Sequence, residues 1–487
     1  MITLTGNSVC KSQKTPEQKR RFCRILIFLT AVFVFLLGWT VVQPLNASPD
    51  EEMRYQIVEY IVRHGTIPDG RDPEIRNELW GISYAYNPIL AYMIMAIPAK
   101  IVSLFTSSAQ AVLIAARLVN VCFGTGMAYL VFRIGEMTFD GEEKWLFAAL
   151  VTFLPGVMFV HSYVNNDSMA LFSTAWIVYA WVRSIREGWT VKICVHLALA
   201  ISMCGLSYYN AYGFVLCSIL FLATTVLFCR REKKDFRFLF SRGGLIAAIV
   251  LGLIGWWFIR NGILYDGDIL GWNISTEYAE KYAVEALKPS NRVTPSAQGM
   301  SLWDMMMWIP GEWEHNWLIT VAVSFVGTFG FLDIFMPYGL SKIYYLVFFI
   351  GFVGIIPIIR KTFCPRTTRI EKRRETKGCV TVIHKKIYRQ HIWEKMSVFH
   401  QCMLIAMVIP FILLLKYAYV NDFQAQGRYI LPMVVPFMYF VTYGYKNLLE
   451  QLVKKEKVRN IVYAGLVVLS ILGAVYTYFS VFLPNYM

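Results

Sequence analysis

The chain has 487 residues, of which 56% are hydrophobic and only 16% are charged, with a net charge of +15 and a mean hydropathy of +0.48. About a quarter of the residues of an ordinary soluble protein are charged, so this composition excludes a soluble globular domain. Many stretches reach the ~20 apolar residues that cross ~30 Å of hydrocarbon, where a single segment satisfies its own backbone as a helix. The chain is therefore predicted to be an all-α protein, a polytopic bundle of transmembrane helices.

The positive charge is concentrated in four blocks, at 14–24, 230–242, 360–395 and 446–459. Each block adjoins an apolar stretch, as the positive-inside rule expects of cytoplasmic segments. Membrane topology thus explains the charge, and no nucleic-acid partner is predicted. Residues 1–23 are accordingly predicted to form a cytoplasmic basic arm.

With these blocks inside, the pattern predicts about eleven crossings, a cytoplasmic N-terminus and an outer C-terminus. Two further apolar stretches, 84–106 and 316–337, contain prolines and glycines and are predicted to be interfacial or re-entrant pieces. If both crossed, the count would be about thirteen. The predicted crossings are 24–42, 110–132, 145–163, 166–184, 192–209, 212–229, 243–259, 339–359, 402–420, 429–447 and 460–480.

This topology divides the chain into a catalytic module at 24–448 and a basic linker with a last transmembrane helix at 449–487. Two large segments of the module, 43–109 and 260–338, are predicted to be external loops, and a basic loop, 360–400, is predicted to be cytoplasmic. None of the 10 cysteines lies in an external loop, so no structural disulfide is expected. No metal-site spacing such as CxxC or HExxH occurs, so no metal ligands are assigned.

An acidic cluster, Asp50-Glu51-Glu52, follows the first predicted crossing. Ser48 and Pro49 before it predict a helix start, in which Ser48 caps the helix and Glu51 completes a capping box. The helix that follows is amphipathic, which is typical of a helix on a membrane surface. Glu51 and Glu52 thus have structural explanations, and Asp50 is the acid that lacks one.

Three other polar clusters are predicted on the same side of the membrane as Asp50. Arg428 lies at the outer end of a crossing, against the usual charge bias, so it is predicted to meet an anionic partner, with snorkelling as the alternative. Asp167 lies at a helix start, where an acid is also favoured by the helix dipole. The clusters are His161 to Asp167, Arg260-Asn261, and Gln424 to Tyr429.

Together these clusters predict carboxylates and guanidinium groups at one membrane surface. A carboxylate can act as general base on a hydroxyl, and an arginine can neutralise a phosphate leaving group. A phosphate attached to a lipid would explain why the site is held at the membrane. The pattern therefore predicts glycosyl transfer from a polyprenyl-phosphate sugar.

Over about residues 24–440, the order and spacing of several motifs resemble the GT-C superfamily of membrane glycosyltransferases. The sequence is similar to the dolichyl-phosphate-mannose protein mannosyltransferase family and its bacterial relatives. The motifs are Pro49-Asp50-Glu51, Gly65-Thr66-Ile67-Pro68, Tyr86-Asn87-Pro88-Ile89-Leu90-Ala91-Tyr92, Ala116-Arg117-Leu118-Val119-Asn120, Val164-Asn165-Asn166-Asp167, Arg260-Asn261 and Gln426-Gly427-Arg428-Tyr429-Ile430-Leu431-Pro432.

The resemblance implies a fold with interfacial helices in the external loops, a lipid monophosphate donor, and inversion of the sugar's anomeric configuration. It implies that Asp50 is the catalytic base, with Glu51 beside it and Asp167 as the second acid of the site. The expected contacts of the donor phosphate are Arg428, Arg260, Gln426 and Tyr429. Further candidate contacts in the site are His64, His161, Asn165, Asn166 and Asn261, and a hydrogen-bonded interfacial histidine is the alternative for His64 and His161.

The prediction is a hexosyl- or mannosyltransferase-like enzyme of the bacterial plasma membrane, with its active site facing outside. Its expected partners are the lipid-linked donor, membrane lipids, and an acceptor that is a protein, a lipid or a cell-wall glycan. No cofactor is firmly predicted, and a divalent cation held by the outward acids stays open. Two other functions also stay open: a flippase or transporter of lipid-linked glycans, and an envelope-polysaccharide polymerase or ligase that uses a lipid diphosphate donor.

Overall fold

A computed structural model of the chain describes residues 16–229, 235–311, 313–364, 366–372 and 386–487. The described part is overwhelmingly helical, which confirms the predicted fold class. The first 15 residues of the basic arm and the middle of the cytoplasmic loop lie outside the described residues. Two short antiparallel hairpins supply the strands of the described part, β1 (Thr328–Phe329) with β2 (Ile334–Phe335) and β3 (Arg366–Lys372) with β4 (Lys386–Ile392).

The α-helices are numbered α1 to α18 in chain order. They are Pro16–Val42, Glu51–His64, Leu90–Ser103, Ala109–Thr138, Glu143–Thr152, Pro155–Val160, Asp167–Glu187, Val191–Gly205, Gly213–Leu227, Phe236–Leu264, Trp272–Tyr282, Leu302–Met307, Trp317–Gly327, Tyr338–Val353, Ile359–Phe363, Lys395–Val420, Val434–Leu452 and Glu456–Tyr476. Short 3₁₀ turns are Pro73–Ile75, Tyr84–Tyr86, Tyr209–Ala211, Glu285–Leu287, Pro289–Asn291, Ile356–Ile358, Gly427–Met433 and Leu483–Asn485, and a π-helix is Thr477–Phe482.

Seven helical segments of the described chain are long and apolar enough to cross a membrane, and each overlaps a predicted crossing. The other four predicted crossings overlap α5 with α6, α7, α8 and α17, which are shorter or less apolar. The protein is thus a multi-pass membrane protein, and the count of eleven stays a prediction. The seven segments are Pro16–Val42, Ala109–Thr138, Tyr209–Leu227, Phe236–Leu264, Tyr338–Phe363, Lys395–Val420 and Glu456–Asn485.

The two apolar stretches that were predicted not to cross contain short helices. Helix α3 has 14 residues and α13 has 11, which at ~1.5 Å per residue makes both shorter than ~30 Å of hydrocarbon. Helix α13 runs directly into the β1–β2 hairpin. These lengths favour interfacial or re-entrant pieces over full crossings.

The ends of the helices sort the loops into two groups. At one end, Arg21 of α1 forms a 2.6 Å ion pair with Glu136 of α4, and Arg186 of α7 donates to the Met137 carbonyl. At the other end, the backbone of Val284 donates to the carbonyl of Leu79, which joins the two predicted external loops. We call the first end the basic end and the second the loop end. The candidate site residues lie at the loop end.

Helix α2 is the main element of the first loop. It begins at Glu51 and ends at His64, and Gly65 after it has a φ of 69°, the left-handed conformation usual after a helix. Its buried side chains, Tyr55, Ile57 and Val58, join a hydrophobic cluster with residues of α3 and α4. The predicted amphipathic helix is therefore present, and its apolar face packs on protein.

Candidate functional site

The chain enters α2 through a strained residue. Asp50 has φ 60° and ψ 12°, a left-handed conformation that is uncommon for any residue with a side chain and clusters at functional sites. The predicted capping box is wrong: Asp50 occupies the N-cap position and makes no side-chain cap hydrogen bond, while the Ser48 hydroxyl donates to Gln43 Oε1 at 2.7 Å. Asp50 is thus free to direct its carboxylate away from its own helix.

The carboxylate of Asp50 lies between two buried arginines. Its Oδ2 is 2.7 Å from Nη2 of Arg428 and 3.5 Å from Nη2 of Arg54. The Nη1 atom of Arg54 is 3.3 Å from Oδ2 of Asp167, so one guanidinium joins both acids. The structure therefore brings Asp50, Asp167 and Arg428 together, as the sequence predicted, and adds Arg54. The side chain of Asp50 is 29% exposed, so it is the acid of this group that a substrate can reach.

The two arginines fix the protonation state of Asp50. Burial alone would raise the pKa of its carboxyl, but Arg428 and Arg54 outweigh burial and hold the pKa below the ordinary 3.8. The Asp50 carboxylate is consequently ionised at neutral pH and can accept a proton.

A close backbone contact holds Arg428 in place. A Cβ atom on Gly427 would lie 2.0 Å from the backbone nitrogen of Phe325, so only glycine allows this approach of the 427–433 turn to α13. Beyond it, Nη2 of Arg428 is 3.2 Å from the Tyr429 hydroxyl, which donates to Gln424 Oε1 at 2.6 Å. Arg428 is therefore held in place by the packing of Gly427 on α13 and by hydrogen bonds that run from Arg428 through Tyr429 to Gln424.

Several buried polar atoms in this region have no hydrogen-bond partner among the described residues. Nε of Arg54 and Nε of Arg428 are both unpartnered, as are the Tyr92 hydroxyl and Gln426 Oε1. Because buried polar groups are nearly always paired, these atoms are available to water or to a polar ligand.

Glu51 has a different environment from Asp50. It is fully buried, and its two oxygens pair with Nε and Nη2 of Arg117 at 2.7 Å each. Arg117 also donates to the carbonyls of Thr40, Gln43 and Pro44, so all five of its N–H groups are used. Oε1 of Glu51 accepts a further bond from the Val164 amide at 2.8 Å. This geometry makes Glu51 a positioning residue, and it gives no support to the expected catalytic role.

The polar residues before α7 are also engaged with protein. The Asn165 amide donates to the Val160 and Tyr163 carbonyls, and Asn166 donates to the Ser207 carbonyl. The Nδ1 atom of His161 is 2.6 Å from the Ser168 hydroxyl, and the ring is buried. These three residues shape the turn that presents Asp167, and none is in contact with Asp50.

The remaining candidates lie apart from the Asp50 cluster. Nη2 of Arg260 donates to the Pro68 carbonyl at 2.6 Å, and its guanidinium lies 5.2 Å from the Trp257 ring. The side-chain amide of Asn261 donates to the Tyr86 carbonyl at 3.5 Å. His64 is exposed, and its Nε2 atom is 2.8 Å from Oε2 of Glu74. None of the three forms a hydrogen bond or an ion pair with Asp50 in the described part of the chain, and their expected roles stay predictions.

Arg54 is the site residue that the sequence interpretation missed. It lies one turn after Asp50, which places the two side chains on one side of α2, and it is only 2% exposed. In the sequence, Arg54 stands between Met53 and Tyr55, on the apolar side of an amphipathic helix. A charged residue in that position could have indicated that Arg54 belongs to the site. Its guanidinium occupies the space between Asp50 and Asp167, and the described residues contain no cluster of three His, Cys, Asp or Glu suited to a metal ion.

The sequence matches a family model described as a predicted membrane protein, DUF2142, over residues 74–437. The chain belongs to the DUF2142 family. A comparison with curated protein sequences gives no match. The family description fits the multi-pass fold and leaves the activity open.

The fold is similar to that of solved glycosyltransferases. The oligosaccharyltransferase of Archaeoglobus fulgidus matches in its apo form and, as AglB, in complex with an inhibitory peptide and a dolichol-phosphate, both with a TM-score of 0.55 at 12% identity. These matches cover 95% and 96% of this chain and 56% of the archaeal chain, so this chain spans little more than half of its relative's length. ArnT from Cupriavidus metallidurans, bound to undecaprenyl phosphate, matches with a TM-score of 0.46 at 12% identity, over 93% of this chain and 70% of ArnT. The likeness to AglB confirms the predicted GT-C fold.

Proposed function

We propose that the protein is an integral-membrane glycosyltransferase that moves a sugar from a polyprenyl-phosphate donor to an acceptor hydroxyl. The observation that carries this proposal is the ionised, reachable Asp50 between two buried arginines with unpartnered N–H groups. A general base beside cations for a phosphate is what glycosyl transfer from a lipid phosphate needs.

The ion pair between Asp50 and Arg428 suggests how the donor prepares the base. A donor phosphate that binds Arg428 would compete with Asp50 for Nη2 and could also use the unpartnered Nε. Losing this partner would raise the pKa of Asp50 towards its ordinary value, and a more basic carboxylate is a better proton acceptor. Donor binding would thereby activate Asp50.

In the transfer step, the acceptor oxygen forms a bond to the sugar C1 as the bond from C1 to the phosphate oxygen breaks. The acceptor proton goes to Asp50, and the bonding electrons leave with the polyprenyl phosphate beside Arg428. Arg54 pairs with both Asp167 and Asp50, so it fixes the positions of the two carboxylates and offsets their negative charge. Attack opposite the leaving phosphate would invert the anomeric configuration.

The dolichol-phosphate in the AglB complex supports a lipid-phosphate ligand for this fold. We propose that the site faces outside in a bacterial plasma membrane and that the transferred group is a hexose, such as mannose.

The donor class can be tested with the purified chain in lipid nanodiscs. We expect polyprenyl-monophosphate hexose to be consumed, with release of polyprenyl phosphate, and the matching lipid diphosphate to be spared. Consumption of the diphosphate alone would favour a polymerase or ligase. Translocation of either lipid across a vesicle membrane without loss of its sugar would contradict the enzyme and indicate a flippase.

A further inference from the structure

A cavity lies at the loop end, between the two predicted external loops and α16. Its volume is about 350 Å³, and it is bounded by α11, by the Pro289–Asn291 turn and by the end of α16. Its lining is mainly polar and includes Ser275, Thr276, Arg292, Thr294 and Asn421.

Arg292 is the cation of this cavity, and it has no ion-pair partner among the described residues. Its Nε donates to the Leu287 carbonyl at 3.2 Å, and its guanidinium lies 5.4 Å from the Trp80 ring, which leaves its Nη atoms without an acceptor in the described chain. An unpaired guanidinium in a half-enclosed polar space favours an anion.

The acids nearest to Arg292 along the chain are engaged elsewhere. Glu280 accepts from the amide and hydroxyl of Ser290, and Glu285 pairs with Lys288 at 2.7 Å. Asp422, beside the cavity residue Asn421, accepts from the Gln424 amide at 2.8 Å. The positive charge of Arg292 is therefore available to a ligand.

The other polar residues of the cavity suit a hydroxylated ligand. The Ser275 hydroxyl and the Asn421 amide make no side-chain hydrogen bond to described residues, whereas the hydroxyls of Thr276 and Thr294 have protein partners and keep acceptor capacity. Short hydroxyl and amide groups around a cation match the donors and acceptors of an acidic sugar.

The cavity adjoins the Asp50 cluster through two tyrosines. Tyr417 lies one turn before Asn421 on α16, and its ring centroid is 6.5 Å from that of Tyr429, the neighbour of Arg428. Tyr84 follows the lining residue Ile82 by two positions, and its ring lies 4.9 Å from the Arg54 guanidinium. The segments that line the cavity therefore continue into residues that contact the Asp50 cluster.

We propose that this cavity is the acceptor subsite and that it binds an acidic sugar, whose carboxylate or phosphate pairs with Arg292. The assignment to the acceptor rests on the proposed glycosyl transfer, whereas binding of the acidic sugar does not. An acceptor held there would direct a hydroxyl towards Asp50.

Binding can be measured with the whole chain in nanodiscs at fixed ionic strength. The probes are galacturonate, galactose 6-phosphate and neutral galactose, titrated into wild type, Arg292→Gln, Arg292→Lys and Arg63→Gln, an exposed arginine outside the cavity. We expect both acidic sugars to bind more tightly than galactose, with the tighter one identifying the anion. Their dissociation constants should rise about tenfold or more in Arg292→Gln, less in Arg292→Lys, and not in Arg63→Gln.

Equal affinity for galactose and the acidic sugars, or unchanged affinity in folded Arg292→Gln, would overturn the subsite. Asp50→Asn is expected to keep the affinity, and a loss there would place the ligand in the Asp50 cluster and overturn the proposal as well. Acidic-sugar binding that depends on Arg292, in a protein that transfers no sugar, would overturn the proposed function and leave the anion site standing.

Discussion

At the scale of single residues, Asp50 is set apart from its acidic neighbours by backbone and charge. Its left-handed φ turns the carboxylate out of α2, whereas Glu51 points into the protein and Glu52 accepts from Asn46 at the surface. Three consecutive acids thus have three environments. The difference explains why one of them can act as a base.

The lowered pKa of Asp50 has a consequence for pH dependence. The carboxylate of the free enzyme should lose its charge at a lower pH than an ordinary aspartate does, so kcat/KM should show no acid limb from Asp50 near neutral pH. The ion pairs of Asp50 also make the free energy of unfolding depend on pH. Their contribution is fully present above the pKa that Asp50 has in the unfolded chain, and it is lost as the pH falls through the lower pKa of the folded protein. Donor turnover measured across pH checks this, and an acid limb near neutral pH whose midpoint shifts in Asp50→Glu would contradict it.

Arg428 is expected to act on the leaving phosphate. Arg428→Gln should lower kcat/KM for the lipid donor by about 10²–10³-fold, because charge stabilisation of the leaving group is lost. Arg428→Lys should recover part of this loss, since it restores the charge without the paired N–H groups. Arg63→Gln, which removes an exposed arginine at the end of α2, is the control for loss of a positive charge and should leave kcat/KM unchanged. Equal rates in all three variants would contradict a phosphate role.

At the scale of elements, the Glu51–Arg117 pair joins four segments of chain. Arg117 on α4 connects the start of α2 to the carbonyls at the end of α1, and Glu51 connects it to the turn before α7. The motif Ala116 to Asn120 therefore has a structural role at the site: it fixes the loop that carries Asp50.

Breaking this pair should cost stability. Glu51→Gln or Arg117→Met is expected to lower the free energy of unfolding by about 3–5 kcal/mol, because each leaves a buried partner uncompensated. Glu52→Gln, at an exposed site, should change it by only about 0–1 kcal/mol. Unfolding in detergent measures both. A fully stable Glu51→Gln protein without activity would instead indicate a catalytic role for Glu51.

The elements also show why part of the site could be predicted and part could not. The sequence predicts Asp50, Asp167 and Arg428 together because each lies at an end of a predicted crossing, and the predicted topology places these ends on one side of the membrane. Topology does not predict which residues at one membrane surface are neighbours. The sequence therefore also predicts Arg260 and His64 in the site, whereas in the structure they contact Pro68 and Glu74. The capping box failed because a tertiary partner, Gln43, takes the Ser48 hydroxyl, which local sequence does not reveal.

At the scale of the whole molecule, the helix ends separate a basic end from a loop end that holds the site. Hydropathy and charge predict this arrangement, because the order of apolar and basic stretches along the chain indicates both the crossings and the side on which each loop lies. Helices too short or too polar to be recognised as spans, such as α7 and α8, leave the exact number of crossings a prediction.

The topology can be tested by labelling exposed positions at the two ends. Glu285→Cys at the loop end should react with a membrane-impermeant maleimide in intact cells, and Asp140→Cys at the basic end should react only after permeabilisation. Both side chains are exposed, at 78% and 94%, so access to reagent and not burial decides the result. The unsubstituted protein gives the background of native cysteines, and the opposite labelling pattern would contradict the predicted orientation.

The most direct test of the account compares transfer by Asp50→Asn with transfer by Glu52→Gln, its matched neighbour, using a polyprenyl-phosphate hexose and purified protein. The account predicts that Asp50→Asn loses about 10²–10⁴-fold in turnover, as expected for removal of a general base, while Glu52→Gln keeps it. A correctly folded Asp50→Asn protein that transfers sugar at the wild-type rate would contradict the central claim.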